Sequence, residues 1–314
     1  MKTLALPGTD LAVPAVVTGV MRIQDKSDAE VRALFDASLA AGINFFDHAD
    51  IYGSPLHGCE RRFAEALQLT DSQRAEIILQ SKAGIVPDGP YFDFSYDHIV
   101  SSVNESLAAL QTDYLDILLL HRPDALMEPD EVARAFDDLH AAGKVHHFGV
   151  SNHTPGQIEL LQRSVRQRLV ANQVQLSITH SPIIAQGVAM NMAALDQSIS
   201  RDLGVLDYCR LHDITLQAWS PFQAGFFTGV FLGNPEFAEL NAVIDRLAAK
   251  YAVAPEAIAT ALEWLPKDKH IGLLIAPGRA DEHTASVTSD VALQFANAML
   301  RRFLDTFGFE YEFI

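Results

Sequence analysis

Asp47, Tyr52, Lys82 and His121 stand out because three of them close apolar runs. Phe45-Phe46 precedes Asp47, Ile77-Ile78-Leu79 lies just before Lys82, and Leu118-Leu119-Leu120 ends at His121. An ionisable side chain at the end of a buried segment is costly unless it meets a partner. Asp47 is placed to pair with Lys82, and Tyr52 follows Asp47 by a short loop. A tyrosine normally titrates near ~10. A neighbouring ammonium favours the phenolate and lowers that value, so Tyr52 is expected to give or take a proton near neutral pH. His121 is placed to hydrogen-bond the reacting oxygen. Together the four make an acid–base site for a carbonyl/alcohol pair. None of them carries electrons, so a hydride-carrying cofactor is required.

These residues need elements to bring them together. Pro7-Gly8-Thr9-Asp10 reads as the turn of a short N-terminal hairpin, and Val16–Val20 as the first main strand. Ser27 is placed to cap a helix, with Glu30 reaching back to it and Val31, Leu34, Phe35 and Leu39 at helical spacing. Gly42 stops that helix, and a strand follows at 43–46. The alternation continues through helices near 58–69, 97–110, 130–142, from Thr154-Pro155, 191–212, 236–251 and 255–265. The intervening strands are 77–80, 115–120, 148–150, 170–174, 215–218 and 272–275, and a last helix is expected at 291–305. Apolar runs without strict alternation suit parallel strands buried on both faces. Eight such units close most naturally into a (β/α)8 TIM barrel with an N-terminal β-hairpin, an open doubly wound sheet being the alternative. No linker divides residues 1–314, which read as one domain. In a barrel of this kind the chemistry sits at the C-terminal ends of the strands. Those ends also carry Ser151-Asn152, Gln173, Trp219-Ser220 and Gly278-Arg279.

Composition narrows the partners. The formal net charge of −17 repels phosphate backbones and anionic lipids, which argues against nucleic acid and membrane surfaces. No uncharged apolar stretch approaches the roughly 20 residues needed to span a bilayer. Only Cys59 and Cys209 occur, and the N-terminus lacks the pattern of a signal peptide, so a cytoplasmic setting is expected. No assembly element is visible, and a monomer is the default.

Several segments also resemble the aldo-keto reductase superfamily, in its bacterial short-loop oxidoreductase branch. They are Asn44-Phe45-Phe46-Asp47-His48-Ala49-Asp50-Ile51-Tyr52-Gly53, Gln80-Ser81-Lys82, Leu118 to Asp124, Gly143 to Asn152, Asn172-Gln173-Val174-Gln175 and Ala218-Trp219-Ser220-Pro221. The likeness runs in order from about residue 16 to residue 283. It implies that Tyr52 is the catalytic acid/base, that Lys82 and Asp47 tune it, and that His121 orients the carbonyl. It further implies that Ser151, Asn152 and Gln173 bond a nicotinamide carboxamide, that Trp219 stacks on the ring, and that Ser220, Gly278 and Arg279 belong to the cofactor site. The family favours NADP(H) over NAD(H) and uses no metal. One departure bears on that preference: His283 stands where an arginine is expected, and an imidazole is the weaker phosphate partner, with Arg279 available to compensate.

The remaining groups have plainer readings. His48 and Asp50 share a strand face with His121 nearby, an arrangement open to metal ligation, but Lys82 in their midst argues against a cation. Cys59 reads as filler or as a partly exposed thiol near the mouth. Tyr91, Phe92 and Phe94, in a segment broken by Pro87, Gly89 and Pro90, are expected to supply part of an apolar substrate wall. Phe222 to Gly229 is expected to make the cofactor clamp or substrate wall more apolar. The function expected is reduction of an aldehyde or ketone, or the reverse, by direct hydride transfer. The competing classes are a nicotinamide-binding regulatory subunit with little turnover and a metal-dependent hydrolase.

Overall fold

A computed structural model describes residues 2–89, 91–262 and 271–275, with backbone alone at 261–262 and 271–275. Its eight parallel strands are β1 (Val16–Gly19), β2 (Phe45–Asp47), β3 (Ile78–Ala83), β4 (Leu115–Leu120), β5 (Val145–Ser151), β6 (Leu169–Gln175), β7 (Thr215–Trp219) and β8 (Ile271–Ile275). They run around a closed barrel in chain order, with β8 beside β1. Helices α1 (Asp28–Ala40), α2 (Gly58–Leu67), α3 (Tyr96–Leu110), α4 (Pro129–Ala141) and α5 (Pro155–Gln162) occupy the first five crossovers. The expected helix at 291–305, Gly278, Arg279 and His283 lie outside the described residues.

Local sequence accounts for most helix starts. The Ser27 side chain accepts from the Glu30 amide, while the Glu30 carboxylate accepts from the Ser27 amide at 2.8 Å. The same reciprocal cap opens α5 between Thr154 and Gln157, with Pro155 in the first turn. The expected helix over 191–212 is instead broken. The chain forms a helix at Pro182–Val188, a 3-10 turn at Asp196–Ser198 and a helix at Val205–Leu211. Asn191, Leu203 and Gly204 all take positive φ, which no continuous α-helix accommodates.

Two cores follow from strand alternation. Inward residues Val17, Phe45, Ile78, Ile117, Leu119 and Ala171 fill the barrel together with Leu6 and Val13 from the N-terminal segment, where Thr3–Ala5 pairs antiparallel with Ala12–Pro14. Outward residues such as Phe46, Leu79, Leu118, Leu120 and Phe148 meet the helices. Above the apolar filling lies a polar layer. Gln80 and Gln217 bond each other through both amide groups, at 2.9 and 3.0 Å, and Gln173 donates to Gln217 at 3.0 Å. Buried amides of this kind are tolerated only when bonded, and this layer forms the floor of the barrel mouth.

Candidate active site

The four ionisable residues singled out in the sequence converge on that floor. Register places Asp47, at the end of β2, beside Gln80 of β3, and Lys82 lies two residues on, facing the same interior. The Lys82 ammonium donates to Asp47 Oδ2 at 2.6 Å, to the His48 carbonyl at 2.7 Å and to Tyr52 Oη at 3.2 Å. Asp47 Oδ1 accepts from Gln80 at 2.5 Å and from Gln173 at 3.1 Å. His121 begins just beyond β4, tied by its amide to the Ala83 carbonyl at 2.9 Å, and its ring meets Tyr52 edge-on at 5.9 Å. The loop carrying Tyr52 is pinned at both ends, by Tyr52 N to Ala49 O at 3.0 Å and Cys59 N to Tyr52 O at 2.8 Å.

Electrostatics departs from the sequence expectation at Tyr52. Burial pushes its phenol above the ordinary value; the Lys82 ammonium pulls it down, but Asp47 pushes it up again. Tyr52 is therefore protonated at neutral pH. Lys82 behaves the other way: burial favours the neutral amine, and Asp47 with Tyr52 outweighs it, so the ammonium persists. Burial, then Lys82 and Arg122, hold His121 well below the usual imidazole value, so it is neutral.

A cavity of about 390 Å³ opens over these groups. Ser151, Asn152, Gln173, Trp219 and Ser220 line it opposite Tyr52 and His121. Asn152 spends both amide hydrogens on the His121 carbonyl (3.2 Å) and Ser151 Oγ (2.8 Å), and its Oδ1 accepts from Trp219 Nε1 at 3.1 Å. Asn152 adopts φ +60, the left-handed region that asparagine tolerates better than most residues. Ser151 Oγ donates to the Gln173 carbonyl at 2.8 Å. Both Gln173 amide hydrogens go to Asp47 and Gln217. What these two amides can offer a ligand is therefore carbonyl lone pairs.

The walls were only partly legible. Phe226 and Phe227 line the cavity, with the Trp219 ring 6.1 and 6.4 Å from theirs. Tyr91 and Phe92 lie outside its lining and form a small antiparallel pairing with Ile85–Val86. Phe94 is core, stacked on His153 at 5.9 Å and seated against Gly84. None of the three therefore lines this cavity: Phe94 is enclosed in the core, and Tyr91 and Phe92 are exposed on the small pairing. Cys59 is fully buried and its thiol donates to the Met21 carbonyl, so it is no exposed thiol. Arg122, the residue after His121, also lines the cavity and was missed; its place beside a strand-end histidine was the available signal.

Behind the floor sits a second polar cluster. Glu60 accepts from Ser81 at 2.5 Å and lies 2.6 Å from His57 Nδ1, while Ser102 donates to Asp50 at 2.7 Å. Burial raises Asp50 to about 7. His48 contacts Phe63 edge-on at 4.8 Å, and neither ring nitrogen has a hydrogen-bond partner among the described residues. No three His, Cys, Asp or Glu side chains among the described residues are grouped to hold a metal ion.

Residues 15–303 match the Aldo/keto reductase family. An uncharacterized oxidoreductase of Bacillus subtilis is 38% identical over 226 residues, 69% of each chain. A 6-dehydroglucose reductase of Agrobacterium fabrum is 34% identical over 277 residues, 84% of each chain. Among solved structures, a thermostable aldo-keto reductase in complex with the inhibitor epalrestat superposes with a TM-score of 0.68 at 20% identity, covering 99% of this chain and 96% of that one. At that identity the likeness is one of fold.

Proposed function

The chain belongs to the aldo/keto reductase family, whose members use nicotinamide cofactors, and on that premise we propose that it interconverts a small aldehyde or ketone and its alcohol by direct hydride transfer, with Tyr52 as general acid/base. The observation that carries this reading is the Lys82 ammonium, which bridges Asp47 and Tyr52 Oη on the floor of the cavity. We take residues 1–314 as one (β/α)8 domain with an N-terminal hairpin, acting in the cytoplasm.

The cavity fits a nicotinamide. Trp219 offers an aromatic face, and Gln173 and Asn152 offer carbonyl oxygens suited to the NH2 of a carboxamide. A bound NADPH supplies the hydride. NADP(H) is proposed over NAD(H) on the family preference, with Arg279 in the phosphate role. Because Lys82 donates to Tyr52 Oη, the phenol keeps its own O–H free to donate into the cavity. As negative charge builds on a carbonyl oxygen, Tyr52 hands over that proton, and the ammonium stabilises the phenolate left behind. Asp47 holds Lys82 in place and charged. A neutral His121 has one N–H to give and no proton to spare, so it aligns the carbonyl oxygen while Tyr52 does the protonation. In the alcohol direction the Tyr52 phenolate is the base. A cofactor-binding subunit with little turnover needs no such relay, so the complete set argues for catalysis.

The test is loss of nicotinamide absorbance with NADPH and with NADH against a panel of aldehydes and ketones. Tyr52→Phe is expected to lower kcat by roughly 10²- to 10⁴-fold while cofactor binding, followed by fluorescence, persists. Wild-type turnover that survives the substitution would remove Tyr52 from the mechanism.

A further inference from the structure

Arg122 is half-buried, directly follows His121 and lines the same cavity as Tyr52, Trp219 and Phe226. It has no ion pair or hydrogen bond among the described residues; its recorded contacts are with rings, 5.9 Å to Trp219 and 5.6 Å to Phe226. A ring face attracts a guanidinium but leaves its five N–H donors unfilled as hydrogen-bond partners. Nor is there a shortage of acids, which outnumber lysine and arginine 40 to 23. Elsewhere a buried arginine, Arg74, is paired with Asp116 at 2.8 Å. The acid beside Arg122 in sequence, Asp124, is engaged instead with the amides of Phe94 (3.2 Å) and Leu126 (2.8 Å).

Among the described residues this leaves the charge in the cavity unbalanced. Lys82 is matched by Asp47, and His121 is neutral. Burial pulls the Arg122 pKa down, and no carboxylate among the described residues offsets it. Trp219, Phe226 and Phe227 wall the space with apolar surface, which strengthens any charge pair formed there.

We propose that Arg122 binds an anionic group, a carboxylate or a phosphate, carried by the carbonyl substrate. This rests on the reductase reading above for the identity of the carbonyl, but the anion site stands on its own geometry. A guanidinium takes either anion through two parallel N–H bonds. The substrate class is an aldehyde or ketone with an apolar body and one acidic group away from the carbonyl.

The experiment compares benzaldehyde, 4-carboxybenzaldehyde and 4-formylphenyl phosphate with wild type, Arg122→Gln and Arg122→Lys at saturating NADPH. Wild type should prefer at least one anion, and the one preferred identifies carboxylate or phosphate. In Arg122→Gln the ratio of kcat/KM for that anion to kcat/KM for benzaldehyde should fall roughly 10- to 100-fold, with Arg122→Lys between. An unchanged ratio, or a change confined to the KM for NADPH, overturns the proposal. Titration of benzoate and phenyl phosphate by calorimetry keeps the two readings apart. Binding by wild type that Arg122→Gln loses, without any turnover, sinks the reductase reading and leaves the anion site standing. No binding of either anion by wild type sinks the anion site.

Discussion

Lys82 makes three hydrogen bonds from a fully buried ammonium, and each has a different consequence. The bond to Asp47 keeps it charged, the bond to the His48 carbonyl fixes where the charge sits, and the bond to Tyr52 passes the charge to the proposed proton donor. Removing one partner of such a pair leaves the other buried alone. Lys82→Met is therefore expected to destabilise the fold by roughly 3 kcal/mol, measured by urea unfolding, and to remove carbonyl reduction. Replacing both partners, Asp47→Leu with Lys82→Met, should restore much of the stability and none of the activity. If the double variant were as unstable as the single one, the cost would lie in lost packing rather than in the orphaned carboxylate.

At the scale of elements, the loop between β2 and α2 decides where Tyr52 stands. Gly53, next to it, has φ +95, and a Cβ there would lie 2.3 Å from Gln24 Oε1 and 2.9 Å from the Gly58 Cα. The Gln24 side chain can yield, but the Gly58 backbone cannot. Gln24 also clasps this loop, accepting from the Ser54 amide at 2.6 Å and donating to the Ser54 carbonyl. Gly53→Ala is expected to cost about 1–3 kcal/mol and to lower kcat by displacing Tyr52. Gly143→Ala is the control: φ is +69 there too, but nothing lies within 4 Å of the added carbon, and the site is remote. It should lower the melting temperature slightly and leave kcat alone. A Gly53→Ala variant with wild-type kcat would show that the loop does not set the position of Tyr52.

Across the whole molecule, buried imidazoles tie stability to pH. Burial lowers His48 and His153 to about 4 each, from an ordinary 6.5. A group with a depressed folded-state value contributes stability that is complete above 6.5 and is lost as the pH falls towards 4. Asp50 runs opposite: raised to about 7, it contributes stability below the ordinary carboxylate value that is lost as pH rises through 7. Comparing His48→Leu with wild type cancels the Asp50 contribution. Its unfolding free energy should change less between pH 7.5 and 4.5, by up to about 3 kcal/mol. Parallel pH profiles for the two proteins would mean that His48 is not held neutral in the fold.

The chain's own pattern determined the parts that local physics dictates. Ser27 with Glu30 and Thr154 with Gln157 announced helix starts, because a cap needs only residues three apart. Apolar runs ending at Asp47, Lys82 and His121 announced strand ends, and those three side chains with Tyr52 do meet. Three other features were decided by tertiary structure. Asn191, Leu203 and Gly204 interrupt a segment whose composition reads as helix, because backbone conformation there answers to the packed neighbours. Phe94 turned inward to Gly84 and His153, although Phe226 and Phe227 line the cavity as their segment led one to expect, since sequence shows that a residue is aromatic but not which surface buries it. The Tyr52 pKa rose although Lys82 pulls it down, because desolvation depends on enclosure from every side, and only the closed barrel supplies that.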